Sequence, residues 1–195
     1  MKKTDICNIP DEDLVVLVRT KNKEFYEELV KRYQNKLLRY AKYLLFDSRE
    51  AEDVVQAAFI KAYKNLNGFN VKKKFSSWIY RIVHNEAVNI IKKIKRRKNI
   101  SLDKNAFLAD KIKGKENIEL NLEKKETIKI TNKLLFKLPE KYKRPLILCF
   151  LEDKSYIEIS EILRIPVNTV GTRISRGKAL LKKICLKKGI KSYEG

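Results

Sequence analysis

"SYIEISEILRIPVNTVGTRISRGKALLKK", residues 155–183, decides the fold. Its opening has the S-x-x-E form of a capping box, in which Ser155 and Glu158 each satisfy the other's free backbone N–H. Ile159, Ile162 and Leu163 then recur at helical spacing and form the inner face of a short helix. Residues 164–166 read as a tight turn, and Val167 starts a second helix. Spacing divides that helix into two faces. Val170, Ile174, Leu181 and Ile184 share one, with Gly177 leaving room for a neighbouring helix. Asn168, Thr169, Thr172, Arg173 and Arg176 share the other, and no carboxylate occurs from Ile165 to Lys183. A carboxylate there would repel phosphate, whereas hydroxyl, amide and guanidinium groups read base edges. Two short helices joined by a tight turn form a helix-turn-helix, whose second helix enters the DNA major groove. A solvated basic helix is the other reading of the same pattern.

The rest of the chain also reads as helix. Upstream, Ile128, Leu134, Leu135 and Leu138 fit one helix, and "LPEKY" starts another with Pro139 in its first turn. Pro145 removes one backbone bond from that helix and predicts a kink. Residues 152–154 read as a turn. In the first half, Asp11 is placed as an N-cap before Leu14, Leu17 and Val18. Phe25, Leu29, Tyr33, Leu37, Tyr40 and Leu44 make a stripe, 46–50 a turn, and Ala51 to Leu66 a further amphipathic helix. "NGFNVKKK" (67–74) is a basic loop, after which Trp78, Ile79, Ile82, Val83, Ala87, Ile90, Ile91 and Ile94 define a long helix. No stretch alternates convincingly enough for a sheet, so the expected class is all-α.

Charge supplies the domain organisation. The formal net charge is +21, with +11 on residues 1–98, −1 on 99–123 and +11 on 124–195. Two basic helical lobes joined by a near-neutral linker follow from this. Within the first lobe, 69–98 holds ten basic residues against Glu86 alone, so only part of that lobe is built for phosphate. A chain this basic pairs with nucleic acid or an anionic membrane surface. The start turns acidic at once and lacks the apolar core of a secretory signal. The longest apolar run, "LILCFL" (146–151), falls far short of the roughly 20 residues that span a bilayer. No membrane partner and a cytoplasmic location are therefore expected. Cys7, Cys149 and Cys185 are widely spaced and read as reduced thiols. His84 has no second ligand in view, so no metal is expected, and the residue is placed on a helix surface beside Asn85. No P-loop, HExxH, carboxylate cluster or nucleophile–histidine pair is present, so neither a catalytic residue nor a cofactor is assigned.

At this point the chain resembles a family. The helix-turn-helix stretch is similar to region 4 of sigma-70-family transcription initiation factors of the small extracytoplasmic-function (ECF) type. "FYEELVKRYQNKLLRYA", "EAEDVVQAAFIKAY" and "FSSWIYRIVHNEAVNIIKK" resemble its regions 2.1, 2.2 and 2.3–2.4 in the family's order, and "LPEKYKRPLILCFLED" resembles the segment leading into region 4. The likeness covers about 10–98 and 124–187. It implies a region 2-like helical bundle (1–98), a linker (99–123) and a region 4-like helix-turn-helix domain (124–195).

The resemblance also implies roles. Asp53, Gln56, Phe59 and Ile60 match the helix that binds the clamp of RNA polymerase core. Phe59 also fits the core, and Ala57 stands where the family often has an acidic residue. Phe69 and Asn85 match the pocket that captures an unstacked base of the −10 element. Lys72, Lys73 and Lys74 would neutralise nearby phosphates, and Arg81, Asn89, Lys92 and Lys93 would follow the strand. Trp78 belongs either to this site or to the apolar stripe. A reader of melted DNA wants this mix of cations and aromatics. For the −35 element the matching residues include Thr172, Ser175 and Arg176, beside Asn168, Thr169 and Arg173 on the same outer face. Gly171 departs from the basic residue common there, and Arg164 from the usual turn glycine. The implied partners are polymerase core (β′ clamp and β flap), promoter DNA and an anti-sigma factor. A helix-turn-helix activator that does not bind polymerase is the second reading.

Overall fold

The structure, a computed structural model, describes residues 6, 8–45, 47–100 and 132–187. Most of the expected linker, Ile128 and Cys7 lie outside the described residues. Every element among those described is helical. The chain divides into two compact units, 1–114 and 115–195.

The first unit contains α1 (Asp11–Thr20), α2 (Phe25–Leu45), α3 (Ser48–Lys64), a 3-10 turn (Leu66–Gly68) and α4 (Phe75–Ile100). Helices α2, α3 and α4 pack on one another, and α1 lies across α2 and α4. Their inner faces bury Leu14, Leu29, Leu37, Tyr40, Phe75, Ile79 and Tyr80 completely. These are the apolar positions at three- and four-residue spacing, so burial follows the period.

Three local readings are corrected, two of them by partners distant in sequence. Pro10, not Asp11, occupies the N-cap of α1. The Asp11 carboxylate instead accepts from Arg32 Nη1 at 2.8 Å and from the Tyr33 hydroxyl. Residues 48–50 are helix rather than turn, because Asp47 caps α3 by accepting the Glu50 N–H at 3.0 Å. His84 is not on the surface. It is 7 % exposed and its Nδ1 lies 2.8 Å from the Tyr40 hydroxyl, a satisfied core histidine.

The second unit contains a helical turn at 132–136, α5 (Glu140–Phe150), α6 (Tyr156–Leu163) and α7 (Val167–Lys187). Pro139 is the N-cap of α5, which runs on through Pro145. The Ser155–Glu158 capping box is formed in both directions. The turn after α6 is closed twice: Ile165 N–H donates to Ser160 O at 3.2 Å, and Ser160 Oγ donates to Ile165 O at 2.7 Å. Arg164 sits in it with φ 53° and ψ 51°, the left-handed region. Val170, Ile174 and Gly177 are buried against α5 and α6.

Candidate nucleic-acid interface

Helices α2 and α3 leave an open groove of about 510 Å³ between them. Gln56, Phe59 and Ile60 line its α3 wall. Phe59 is buried and forms the floor, whereas Ile60 is 52 % exposed and Asp53 and Gln56 are also exposed. Gln34, Asn35 and Leu38 of α2 form the opposite wall. Sequence reasoning missed this wall. Its only signal was a run of exposed amides on a helix otherwise patterned for the core. Tyr26 braces α3 by donating its hydroxyl to Phe59 O at 2.8 Å, and burial pushes its phenol up. The groove is apolar at its base and polar at its rim, a surface suited to another protein.

The basic loop and α4 form a second face. Phe69 is 5 % exposed, its ring centroid 5.0 Å from that of Trp78 and edge-on to Phe75 at 5.7 Å. It is therefore the inner wall of an aromatic cluster and offers no free stacking surface in this state. Trp78 is half-buried and continues the cluster towards solvent. Asn70 Oδ1 accepts the Lys72 N–H at 2.9 Å, which turns the loop and presents Lys72, Lys73 and Lys74 outward. Along α4, Trp78, Arg81, Asn85, Asn89 and Lys92 follow at steps of three and four, so they share one stripe, with Lys93 at its edge. Asn85, Asn89, Lys92 and Lys93 are exposed and Arg81 half-buried. Glu86, the one carboxylate in this stretch, is held by Lys61 Nζ at 2.8 Å. The stripe is thus amides, cations and an aromatic ring, the set that tracks single-stranded nucleic acid.

Two residues that no local pattern singled out tie this loop to α1. Arg19 donates through Nε to Leu66 O at 3.0 Å and through Nη2 to Phe69 O at 2.5 Å. Glu12 Oε1 accepts the Phe75 N–H at 2.7 Å.

In the second unit, Asn168, Thr172, Ser175 and Arg176 are exposed on the outer face of α7, with Thr169 and Arg173 half-buried beside them. Thr172 Oγ1 donates to Asn168 O at 2.9 Å, so its hydroxyl proton is used within the helix and its oxygen is left to accept. Gly171 lies under the Tyr156 ring. Arg164 is exposed on the turn rather than on the reading face.

Among the described residues, no group of three or more His, Cys, Asp or Glu could hold a metal ion, and no helix is long and apolar enough to cross a membrane. Cys149 and Cys185 are free thiols.

Comparison with known proteins gives a family match in each unit. The family model "Sigma-70 region 2" matches residues 29–97 and "Sigma-70, region 4" matches 131–181. The chain is 34 % identical over 177 residues to the ECF RNA polymerase sigma factor SigW of Bacillus subtilis, covering 85 % of this chain and 91 % of that one. It is likewise 34 % identical over 178 residues to the RNA polymerase sigma-H factor of Pseudomonas aeruginosa, covering 89 % and 92 %. In fold it is similar to CnrH, solved with the cytosolic domain of CnrY (TM-score 0.66, 21 % identity, 89 % of this chain and 96 % of that one). It is also similar to the Bartonella quintana sigma factor RpoE, solved with the anti-sigma factor NepR (TM-score 0.65, 22 % identity, 81 % and 94 %). A chain that carries regions 2 and 4 in order, on an all-α frame, belongs to the sigma-70 family of RNA polymerase sigma factors, in its extracytoplasmic-function group.

Proposed function

We propose that this sigma factor docks on RNA polymerase core and starts transcription by dividing promoter reading between its two units. The groove face of α3, with Gln56 and Ile60 at its rim and Phe59 beneath, takes the β′ clamp together with Asp53, which is exposed on α3 outside the groove lining. Phe69, Lys72, Lys73, Lys74, Trp78, Arg81, Asn85, Asn89, Lys92 and Lys93 take the melted −10 strand. Asn168, Thr169, Thr172, Arg173, Ser175 and Arg176 take the −35 duplex, with the β flap holding the second unit. In functional terms the divisions are 1–98, 99–123 and 124–195.

One observation carries this reading above the others: the stripe on α4. The stripe itself holds no carboxylate, and neighbouring Glu86 is paired with Lys61, which lessens its repulsion of single-stranded phosphate. An activator that bound only duplex DNA would need neither this stripe nor the α2–α3 groove. Sigma factors as a class are non-enzymatic, and this chain is assigned no catalytic step, cofactor or metal of its own. Its place of action is the cytoplasm, where polymerase is, and an anti-sigma protein is its proposed regulator.

Run-off transcription with purified bacterial core polymerase tests the reading. Promoter-specific transcripts should appear only when this chain is added. Ile60→Asp should weaken core binding about tenfold or more, because it places a charge at the rim of a protein–protein interface. Transcripts that do not depend on the chain would overturn the reading.

A further inference from the structure

We propose that Arg19 and Glu12 of α1 are positioning residues for the loop between Leu66 and Phe75, holding Phe69 against Phe75 and Trp78 as the inner wall of the −10 pocket. The proposal rests on the −10 reading above.

The two side chains lie seven residues apart, two turns of α1, on one face. They reach opposite ends of the loop. Arg19 holds the carbonyls of Leu66 and Phe69 at its start. Glu12 holds the N–H of Phe75 at its end, one of the amides that a helix start leaves without an internal partner. Between these anchors Asn70 turns the loop, its Oδ1 and carbonyl accepting the N–H groups of Lys72 and Lys73. Fixing the Phe69 carbonyl restrains the backbone from which its ring packs onto Phe75 and Trp78. Docking of α1 itself is accounted for by Leu14, Val15 and Val18, which are buried. The polar contacts of Arg19 and Glu12 are spent on the loop.

Arginine suits this task for a physical reason. Its planar fork reaches two carbonyls at once in fixed geometry, whereas a lysine ammonium is a point donor on a flexible stem. Arg19→Lys therefore keeps the charge and loses the double anchor. Phosphate-driven binding should survive that change and sequence reading should not.

The test uses the full chain and a randomised single-stranded DNA library as probe, with Trp78, the only tryptophan, as an optical reporter of the loop. Wild type should enrich one motif. Arg19→Lys should lower that enrichment about tenfold, the size of one lost charge-assisted hydrogen bond. It should leave affinity for the unselected library unchanged and increase acrylamide quenching of Trp78. Glu12→Gln, which retains an acceptor oxygen, should change each reading less than Glu12→Ala. If wild type enriches no motif, the −10 reading itself fails. If wild type enriches one and Arg19→Lys enriches it equally with unaltered quenching, the positioning role is overturned. Loss of the far-ultraviolet helix signal in both Arg19→Lys and Glu12→Ala would make these folding residues and equally overturn it.

Discussion

Gly177 of α7 lies so close to Leu146 of α5 that a Cβ added at 177 would sit 2.8 Å from Leu146 Cδ1. It would also lie 3.3 Å from Tyr142 Cβ. Leu146 is itself buried and has little room to turn away. Gly171, two turns earlier, differs: its added Cβ would meet the Tyr156 ring at 3.5 Å, ordinary contact. Helix propensity favours alanine at both sites by about 1 kcal/mol. At 177 overpacking of about 1–3 kcal/mol outweighs it. Gly171→Ala should therefore raise the unfolding temperature of the second unit and Gly177→Ala should lower it. Thermal unfolding followed by circular dichroism decides, and the same sign for both would be wrong.

Arg164 pays for the helix-turn-helix geometry with its backbone. An L-residue in the left-handed region is strained by about 1–2 kcal/mol, which glycine avoids. Glycine returns part of that through a more mobile unfolded chain, about 0.5–1 kcal/mol. Arg164→Gly should stabilise the second unit by about 0.5–1 kcal/mol, a rise of a few degrees. Because Arg164 lies off the reading face, −35 selectivity should be unchanged, which binding to variant duplexes will show.

The second unit should also weaken in acid. Burial alone would raise the Glu140 carboxyl, but Lys143 Nζ at 2.5 Å and Arg144 Nε at 3.0 Å outweigh it and hold it below its ordinary 4.5. A carboxyl lowered by folding contributes stability in full above its unfolded value. That contribution is lost as pH falls below about 4.5 and through the lower folded value. Glu140→Gln should flatten this part of the stability curve, measured by urea unfolding at pH 7, 5 and 3. An unchanged acid slope would refute the assignment.

The elements that sequence revealed were those whose causes are local. Ser155 and Glu158 are three residues apart, and the faces of α7 follow from one period, so both were legible. Asp11 and His84 were misplaced because their partners, Arg32 and Tyr40, lie 21 and 44 residues away. Arg19 was invisible for a further reason. Its acceptors are backbone carbonyls 47 and 50 residues distant, and a carbonyl has no residue identity to recognise. The α4 stripe was legible as a spacing, yet the pairing of Glu86 with Lys61 needed the packing of α3 on α4.

The proposed division of labour between the units gives the last prediction. Arg176 is exposed on α7, where its guanidinium can donate two bonds to one guanine. Arg176→Ala should cost about 1–3 kcal/mol of duplex binding and relax selectivity at one −35 base pair. On the proposed reading Phe69 acts only once the strands part, so its loss should leave −35 capture intact. Burial of Phe69 complicates the obvious variant, since truncation to alanine removes about 3–5 kcal/mol of packing. Phe69→Leu retains most of the volume and removes the ring, so it is the cleaner change. With polymerase core on duplex promoter, Phe69→Leu should lower permanganate reactivity of unpaired thymines while −35 protection persists. Arg176→Ala should lower both. On a template already melted across the −10 element, Arg176→Ala should recover, because strand capture no longer waits on duplex binding. Phe69→Leu should not recover, because the captured strand still lacks its pocket wall. Equal behaviour of the two variants on the two templates would mean that both residues serve one step, and the two-unit reading of the promoter would fall.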